Sequence, residues 1–213
     1  DAGFYRMAVP RAIGGPEVDF PTYVQVIEEL GKGDASTAWT VSQGANWATY
    51  SARMSPAAAR EIWTDTPRSV VSNTPAPTAK AAVVPGGFRV TGRQPFSTGI
   101  MHASWVAAHA QVIENGVVRQ RNGKPEARYC LIPKQQVELV DAWHTKGMRG
   151  TGTHSFDVKD VFVPEERTVF PHDAPLVNPG ARYKIPITLG YAAGDGMVAL
   201  GLARNCLEAF FEV

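Results

Sequence analysis

Gly147-Met148-Arg149-Gly150-Thr151-Gly152-Thr153-His154-Ser155-Phe156-Asp157-Val158-Lys159-Asp160-Val161-Phe162-Val163-Pro164 is the stretch that decides how this chain folds. A glycine-rich turn invites a phosphate-cradle reading, but the order here is Gly-x-x-Gly-x-Gly. A dinucleotide fingerprint needs Gly-x-Gly-x-x-Gly between a strand and a helix. The residues after the turn alternate instead, Phe156 and Val158 against Asp157 and Lys159, which is strand periodicity. With no helix N-terminus behind it, the turn lacks the dipole that holds a pyrophosphate. The stretch therefore reads as a tight turn between two strands.

Working outward, the flanks are strand-like too. Pro85-Gly86-Gly87 turns into Phe88–Thr91, and Trp105 to Val112 forms an apolar strand. Asn115-Gly116 and Asn122-Gly123 are hairpin signals, with Arg119, Arg121 and Lys124 expected at a solvated tip. Strands continue over Arg128–Ile132, Val137–Trp143 and on to Val163. About seven strands joined by tight turns argue a small β-sandwich or barrel.

The first third has a different period. Tyr23, Val26, Ile27 and Leu30 fall at helical spacing after Asp19, and Gly31 and Gly33 stop that helix. Asp34 caps a second helix running towards Tyr50, and Ser55-Pro56 opens a third ending at Trp63. The segment from Pro171 to Pro186 holds four prolines. After it, Leu189, Ala193, Met197, Leu200, Arg204, Leu207 and Phe211 trace a fourth helix, weakened in its first turns by Gly194 and Gly196. The fold class is α+β with several domains. Residues 1–70 form a helical region and 71–170 a β-domain; 171–186 are a linker, and 187–213 begin a further helical domain.

Composition narrows the function. The chain has 213 residues, a net charge of +1 and no dense Lys/Arg cluster, which argues against nucleic acid. No apolar run reaches the roughly 18 residues of a membrane span. The two cysteines, Cys130 and Cys206, form no ligand or disulfide pattern, so a cytoplasmic location is expected. The chain opens on Asp1 and closes inside an apolar pattern, as a fragment of a longer protein would. The histidines at 102, 109, 144, 154 and 172 lack zinc spacing, and no metal is expected. Gly116–Lys124 is no phosphate loop, because Pro125 stands where a magnesium-binding Ser/Thr is needed. There is no Gly-x-Ser-x-Gly elbow. The five tryptophans read as core residues.

One short stretch carries chemistry. Gln94-Pro-Phe96-Ser97-Thr98-Gly99 sets two hydroxyls beside an aromatic ring on a strand that ends at a glycine. A flavin needs such an edge: a ring packed near the isoalloxazine, and a hydroxyl where charge develops at N5.

Four segments in order also resemble the acyl-CoA dehydrogenase superfamily, including its flavin-dependent monooxygenase branch. They are Val9-Pro-Arg-Ala-Ile-Gly14-Gly15, Asp34-Ala-Ser-Thr-Ala-Trp39, Gly86 to Gly92 with Phe96 to Gly99, and Gly147 to Thr153 with Asp160 to Pro164. The resemblance implies N-terminal helices, a β-barrel-like middle domain and a C-terminal four-helix bundle of which residues 187–213 are the first helix. It implies FAD, or reduced FMN or FADH2 delivered by a reductase. Thr98 would meet flavin N5, with Phe96, Ser97 and the Ser72 strand beside it. The same resemblance implies a small-molecule substrate, a homo-oligomer (commonly a tetramer), and an electron-transfer flavoprotein or flavin reductase as partner. An acyl-CoA dehydrogenase-like reaction is the leading expectation, with its catalytic base beyond Val213. The alternatives are a two-component monooxygenase acting on an aromatic or heteroatom substrate, and a non-catalytic homologue. Asn73-Thr-Pro75 and Pro77-Thr-Ala-Lys80 replace the dehydrogenases' Thr-Glu-Pro and Gly-Ser-Asp signature, which favours the hydroxylases. Ala45-Asn46-Trp47 replaces the His-before-Trp often found in hydroxylases.

Overall fold

The computed structural model describes residues 3–66 and 68–212. Three helices open the chain, each started by the residue its sequence offers: Phe20–Gly33 (α1), Ala35–Trp47 (α2) and Pro56–Trp63 (α3). The Asp19 carboxylate accepts from Thr22 N at 2.8 Å, Asp34 from Thr37 N at 2.6 Å, and Ser55 Oγ from Ala58 N at 3.2 Å. Each cap satisfies an amide that would otherwise be orphaned in the first turn, worth about 1 kcal/mol. Beyond α2 the chain tightens into a 3-10 helix, Ala48–Arg53.

The β-region holds more and shorter strands than the periodicity suggests. They are Val71–Asn73 (β1), Ala79–Val84 (β2), Gly87–Ser97 (β3), Trp105–Glu114 (β4), Val117–Val118 (β5) and Gln120–Arg121 (β6). Lys124–Pro125 (β7), Ala127–Pro133 (β8), Glu138–Val140 (β9), His154–Pro164 (β10) and Thr168–Val169 (β11) complete them. The expected strand to Trp143 stops at Val140, and residues 141–146 leave the sheet. One mixed sheet runs in the order β11-β8-β4-β2-β3-β10-β9, and β1 and β5 also pair with β4. The sheet curls: Phe156 and Val158 of β10 and Cys130 and Ile132 of β8 share one core, although their strands lie far apart in the order.

Strand β4 is buried on both faces. Val106, Ala108, Ala110 and Val112 point into the curled sheet, while Trp105 and Ala107 pack with Trp47, Tyr50, Ile62 and Trp63 of the helical side. Burial on both sides explains why β4 reads as a continuous apolar run rather than an alternating one.

The last helix, Ile187–Phe211 (α4), packs on α1 and α2. A Cβ on Gly201 would collide with the Glu28 carbonyl and the Gly31 backbone, and one on Gly194 with Ser42 Oγ. Gly194 and Gly201 thus let α4 lie against its neighbours, whereas a Cβ on Gly196 would meet open space. Leu189, Leu200, Leu202, Leu207, Phe210 and Phe211 face outward. Among the described residues no helix is long and apolar enough to cross a membrane.

The hairpin between β4 and β8 is exposed at its tip, Asn122 to Lys124, as its sequence suggests, but Arg119 and Arg121 are half-buried and engaged rather than solvated. Arg119 forms a bidentate pair with Glu126 at 2.8 Å, and Arg121 lies over the Phe170 ring at 3.8 Å while pairing with Asp173.

Candidate functional site

The site begins with an irregularity in β3. Opposite it, His154 pairs with Ser97 and Phe156 with Gln94, so two steps along β10 span three along β3. This bulge sits at Pro95-Phe96, where proline is tolerated because the ladder is already interrupted. Phe96 takes a left-handed backbone, φ +57°, and its side chain is thrown outward, leaving the residue 59 % exposed. A bulky residue there costs about 1–3 kcal/mol and needs support from its surroundings. The bulge also restores the inward direction for Ser97, which is fully buried.

Behind the strand lies a closed polar network. Ser72 Oγ is 2.7 Å from the Thr98 carbonyl and 2.6 Å from Ser97 Oγ. Ser72 has one proton, and the carbonyl can only accept. Ser72 therefore donates to the carbonyl, and Ser97 donates to Ser72. Buried Gln94 accepts from Thr74 Oγ1 at 2.6 Å and from His109 N at 2.7 Å, and donates to Thr78 Oγ1 at 2.6 Å. Burial holds the His109 imidazole down at about 4.

In front of the strand is a cavity of about 400 Å³. Helix α2 contributes Trp39 and Gln43, the end of β1 Asn73, the β1–β2 connection Pro75, β3 Phe96 and the residue just past it Thr98. The loop between β9 and β10 contributes Trp143, Met148, Thr151 and Thr153. None of these ten lining residues is charged. Phe96 and Trp143 meet edge to face, 6.4 Å apart at 84°. Met148 shares the left-handed backbone of Phe96, φ +54°, and its carbonyl accepts from Trp143 Nε1 at 2.9 Å.

A chain of hydroxyls crosses the floor. Trp39 Nε1 donates to Thr98 Oγ1 at 3.4 Å; Thr98 Oγ1 is 3.1 Å from Thr153 Oγ1; Thr153 is 2.7 Å from Thr151 Oγ1. Thr151 Oγ1 donates to Met148 O at 2.9 Å, so the polarity runs from Trp39 to Met148 and Thr98 donates to Thr153. Met148 O also accepts from Trp143 Nε1 and Thr151 N, so reversing the chain leaves no carbonyl bare. Reversal frees the Thr98 proton for a ligand.

Gln43 also reaches Asp195 Oδ1 on α4 at 3.1 Å. Burial raises the Asp195 carboxyl, and the Gln43 bond opposes that only in part.

Of the four residues singled out by sequence, Phe96 and Thr98 reach the cavity. Ser72 and Ser97 lie behind the strand, where Ser72 holds the Thr98 carbonyl and Ser97 holds Ser72. Sequence reading passed over Trp39 and Trp143, placing them in the core; Trp47, Trp63 and Trp105 are core, whereas these two are half-buried cavity walls. The threonine alternation in Gly150-Thr-Gly-Thr153 was the available signal for Thr151 and Thr153. Arg149, in the same stretch, is exposed and does not line the cavity. Among the described residues no cluster of three or more His, Cys, Asp or Glu is placed to hold a metal.

Residues 1–64 match the family model of the acyl-CoA dehydrogenase N-terminal domain. The chain is 30% identical over its whole length to a pigment production hydroxylase of Rhodococcus sp., covering 55% of that protein. It is 34% identical, over 78% of its length and 41% of the relative, to the flavin-dependent monooxygenase oxygenase subunit HsaA of Mycobacterium tuberculosis. Among solved structures, XiaF from Streptomyces sp., in complex with FADH2 and glycerol, superimposes with a TM-score of 0.85 at 26% identity, over 98% of this chain and 53% of XiaF. The chain thus spans about half the length of the curated relatives it matches.

Proposed function

We propose that this chain, a member of the acyl-CoA dehydrogenase superfamily by its first domain and its fold, is the flavin-facing part of the oxygenase component of a two-component monooxygenase. The observation that carries the reading is the cavity beside Thr98: uncharged, walled by aromatic rings, and offering one hydroxyl that can become a free donor. It suits a planar, largely apolar ring system with a polar edge, and an isoalloxazine fits that description.

Phe96 and Trp143 would pack the ring, and Thr98 would face its N5 edge. Ser97 and Ser72 would act through Thr98 by fixing its backbone. Reduced flavin, when bound, supplies the electrons that activate O2 for transfer of one oxygen to the substrate. The residues of this chain bind and orient it, and the apolar walls keep water away from it. The relatives favour this over the acyl-CoA dehydrogenase reaction expected first from the sequence. FADH2 delivered by a flavin reductase is the preferred cofactor, by analogy with the XiaF complex, and a small aromatic compound the preferred substrate class. In this reading residues 1–70, 71–170 and 187–213 are the three domain portions, and the protein assembles as a homo-oligomer.

The test is anaerobic titration of the purified protein with reduced FAD, followed by O2 consumption of that complex with aromatic substrates; separately, the oxidised-FAD complex is mixed anaerobically with acyl-CoA and bleaching of its flavin absorbance is followed. Thr98→Val is expected to weaken flavin binding about fivefold, the size of one net hydrogen bond. Protein that takes up neither reduced nor oxidised flavin sinks the proposal. Protein that binds flavin and oxidises acyl-CoA returns the assignment to the dehydrogenases.

A further inference from the structure

We infer that His154 is the positioning residue for the Trp143–Met148 wall of the cavity, and that its protonation releases that wall. His154 is the first residue of β10, directly after Thr153. Its Nδ1 lies 3.3 Å from Ala142 N and 3.4 Å from Trp143 N. The same atom lies 3.1 Å from Asp141 Oδ1. One ring nitrogen cannot serve all three. Unprotonated, Nδ1 accepts from the two amides; protonated, it loses both and donates to the Asp141 carboxylate.

What hangs on those amides is the segment 141–148, which has left the sheet. Its other polar contacts are mostly internal: Trp143 Nε1 to Met148 O, Thr145 Oγ1 to Gly147 O, and the approach of His144 to Asp141 at 3.4 Å. The bonds that Met148 O takes from Thr151 tie down its far end. His154 therefore tethers the near end to the sheet and, through Trp143 N, sets where the indole stands against Phe96.

Asp141, with His144 behind it, is the ionisable group facing the ring from this loop. Strand β3 places neutral Ser97 in register with His154, and the turn after it brings Met101 beside Gly152. Further along, the charges of β9 and β10 are taken up elsewhere, Glu138 with Lys159 and Asp157 with Arg93. Lowering the pH through the His154 ionisation transfers Nδ1 from the backbone amides to Asp141 and loosens the wall. The consequence for flavin rests on the function proposed above; the movement of the wall does not.

The experiment labels the purified protein with 5-fluorotryptophan and follows the 19F signal of Trp143, identified by its loss in Trp143→Phe, from pH 8 to 5.5. In the wild type the signal is expected to move. In His154→Asn, whose amide oxygen can replace Nδ1 as acceptor but cannot ionise, it is expected to stay. In parallel, affinity for oxidised FAD, whose ring keeps its charge over this range, should drop about fivefold in the wild type, one net hydrogen bond, and stay level in His154→Asn. A Trp143 signal that is unmoved in the wild type, or that moves equally in His154→Asn, overturns the inference. Absence of flavin binding at pH 8 overturns the flavin reading while the fluorine signal still reports the wall.

Discussion

The two faces of the end of β3 use the same side-chain chemistry to opposite ends. Behind the strand, Ser72, Ser97, Thr74, Thr78 and Gln94 close on one another and on the backbone, leaving nothing for a ligand. In front, Thr98, Thr153 and Thr151 form a chain whose direction can reverse without stranding a carbonyl. Hydroxyls on both faces are hydrogen-bonded, so satisfaction alone does not separate frame from site. The difference lies in whether the protons have a second arrangement available. The rear set is committed, and the front set has a choice.

That contrast can be broken or sharpened experimentally. Gln94→Leu should be the severest change, because it strands the buried His109 amide and the buried Thr74 hydroxyl at about 1–3 kcal/mol each. We expect a loss of about 4 kcal/mol in stability by urea denaturation. A loss under about 1 kcal/mol would mean that the rear face is as adaptable as the front.

Next comes pH, through His109. Its folded value is depressed to about 4 by burial, against roughly 6.5 for an unperturbed imidazole. The stability linked to keeping it neutral is fully present above about 6.5 and is lost as pH falls towards 4, because there the unfolded chain takes up a proton that the fold refuses. The denaturation midpoint should fall across that window, at a slope of at most about 1.4 kcal/mol per pH unit. His109→Phe should flatten that contribution.

The smallest effect belongs to the front. Thr153→Val removes the acceptor that occupies the Thr98 proton, so flavin binding should hold or tighten, by about twofold at most given the weakness of a 3.1 Å hydroxyl pair. A loss as large as that of Thr98→Val would show the hydroxyls working as one unit.

Much of the fold is legible in local chemistry. Asp19, Asp34 and Ser55 announce their helices because capping is a short-range matter of one oxygen and one amide. Strand periodicity after Thr153 excludes a phosphate cradle for a similarly local reason. The site is only half legible. Phe96 and Thr98 follow from their stretch, but simple alternation cannot say which neighbour faces the cavity once a bulge intervenes. That is why Ser97 turns inward. Trp39 and Trp143 resemble core tryptophans because a ring walling a cavity and a ring filling a core have the same local sequence; only tertiary placement tells them apart. Gly194 and Gly201 carry no sign in the sequence that a backbone lies against them, and Arg121 none that Phe170 lies beneath it.

Strand β4 has a consequence for how the protein opens. It pairs with β1 and β2 in parallel and with β5 and β8 in antiparallel, and it separates two cores. Its amides cannot meet solvent without dismantling partners drawn from residues 71 to 133, so their exchange with deuterium should track global unfolding. Residues 141–148 sit at the other extreme, tethered by few bonds and free to open without disturbing either core. The molecule thus keeps an exchange-resistant strand and a readily opened loop on one sheet, and the cavity wall can breathe while the sheet that leads to Thr98 stays shut.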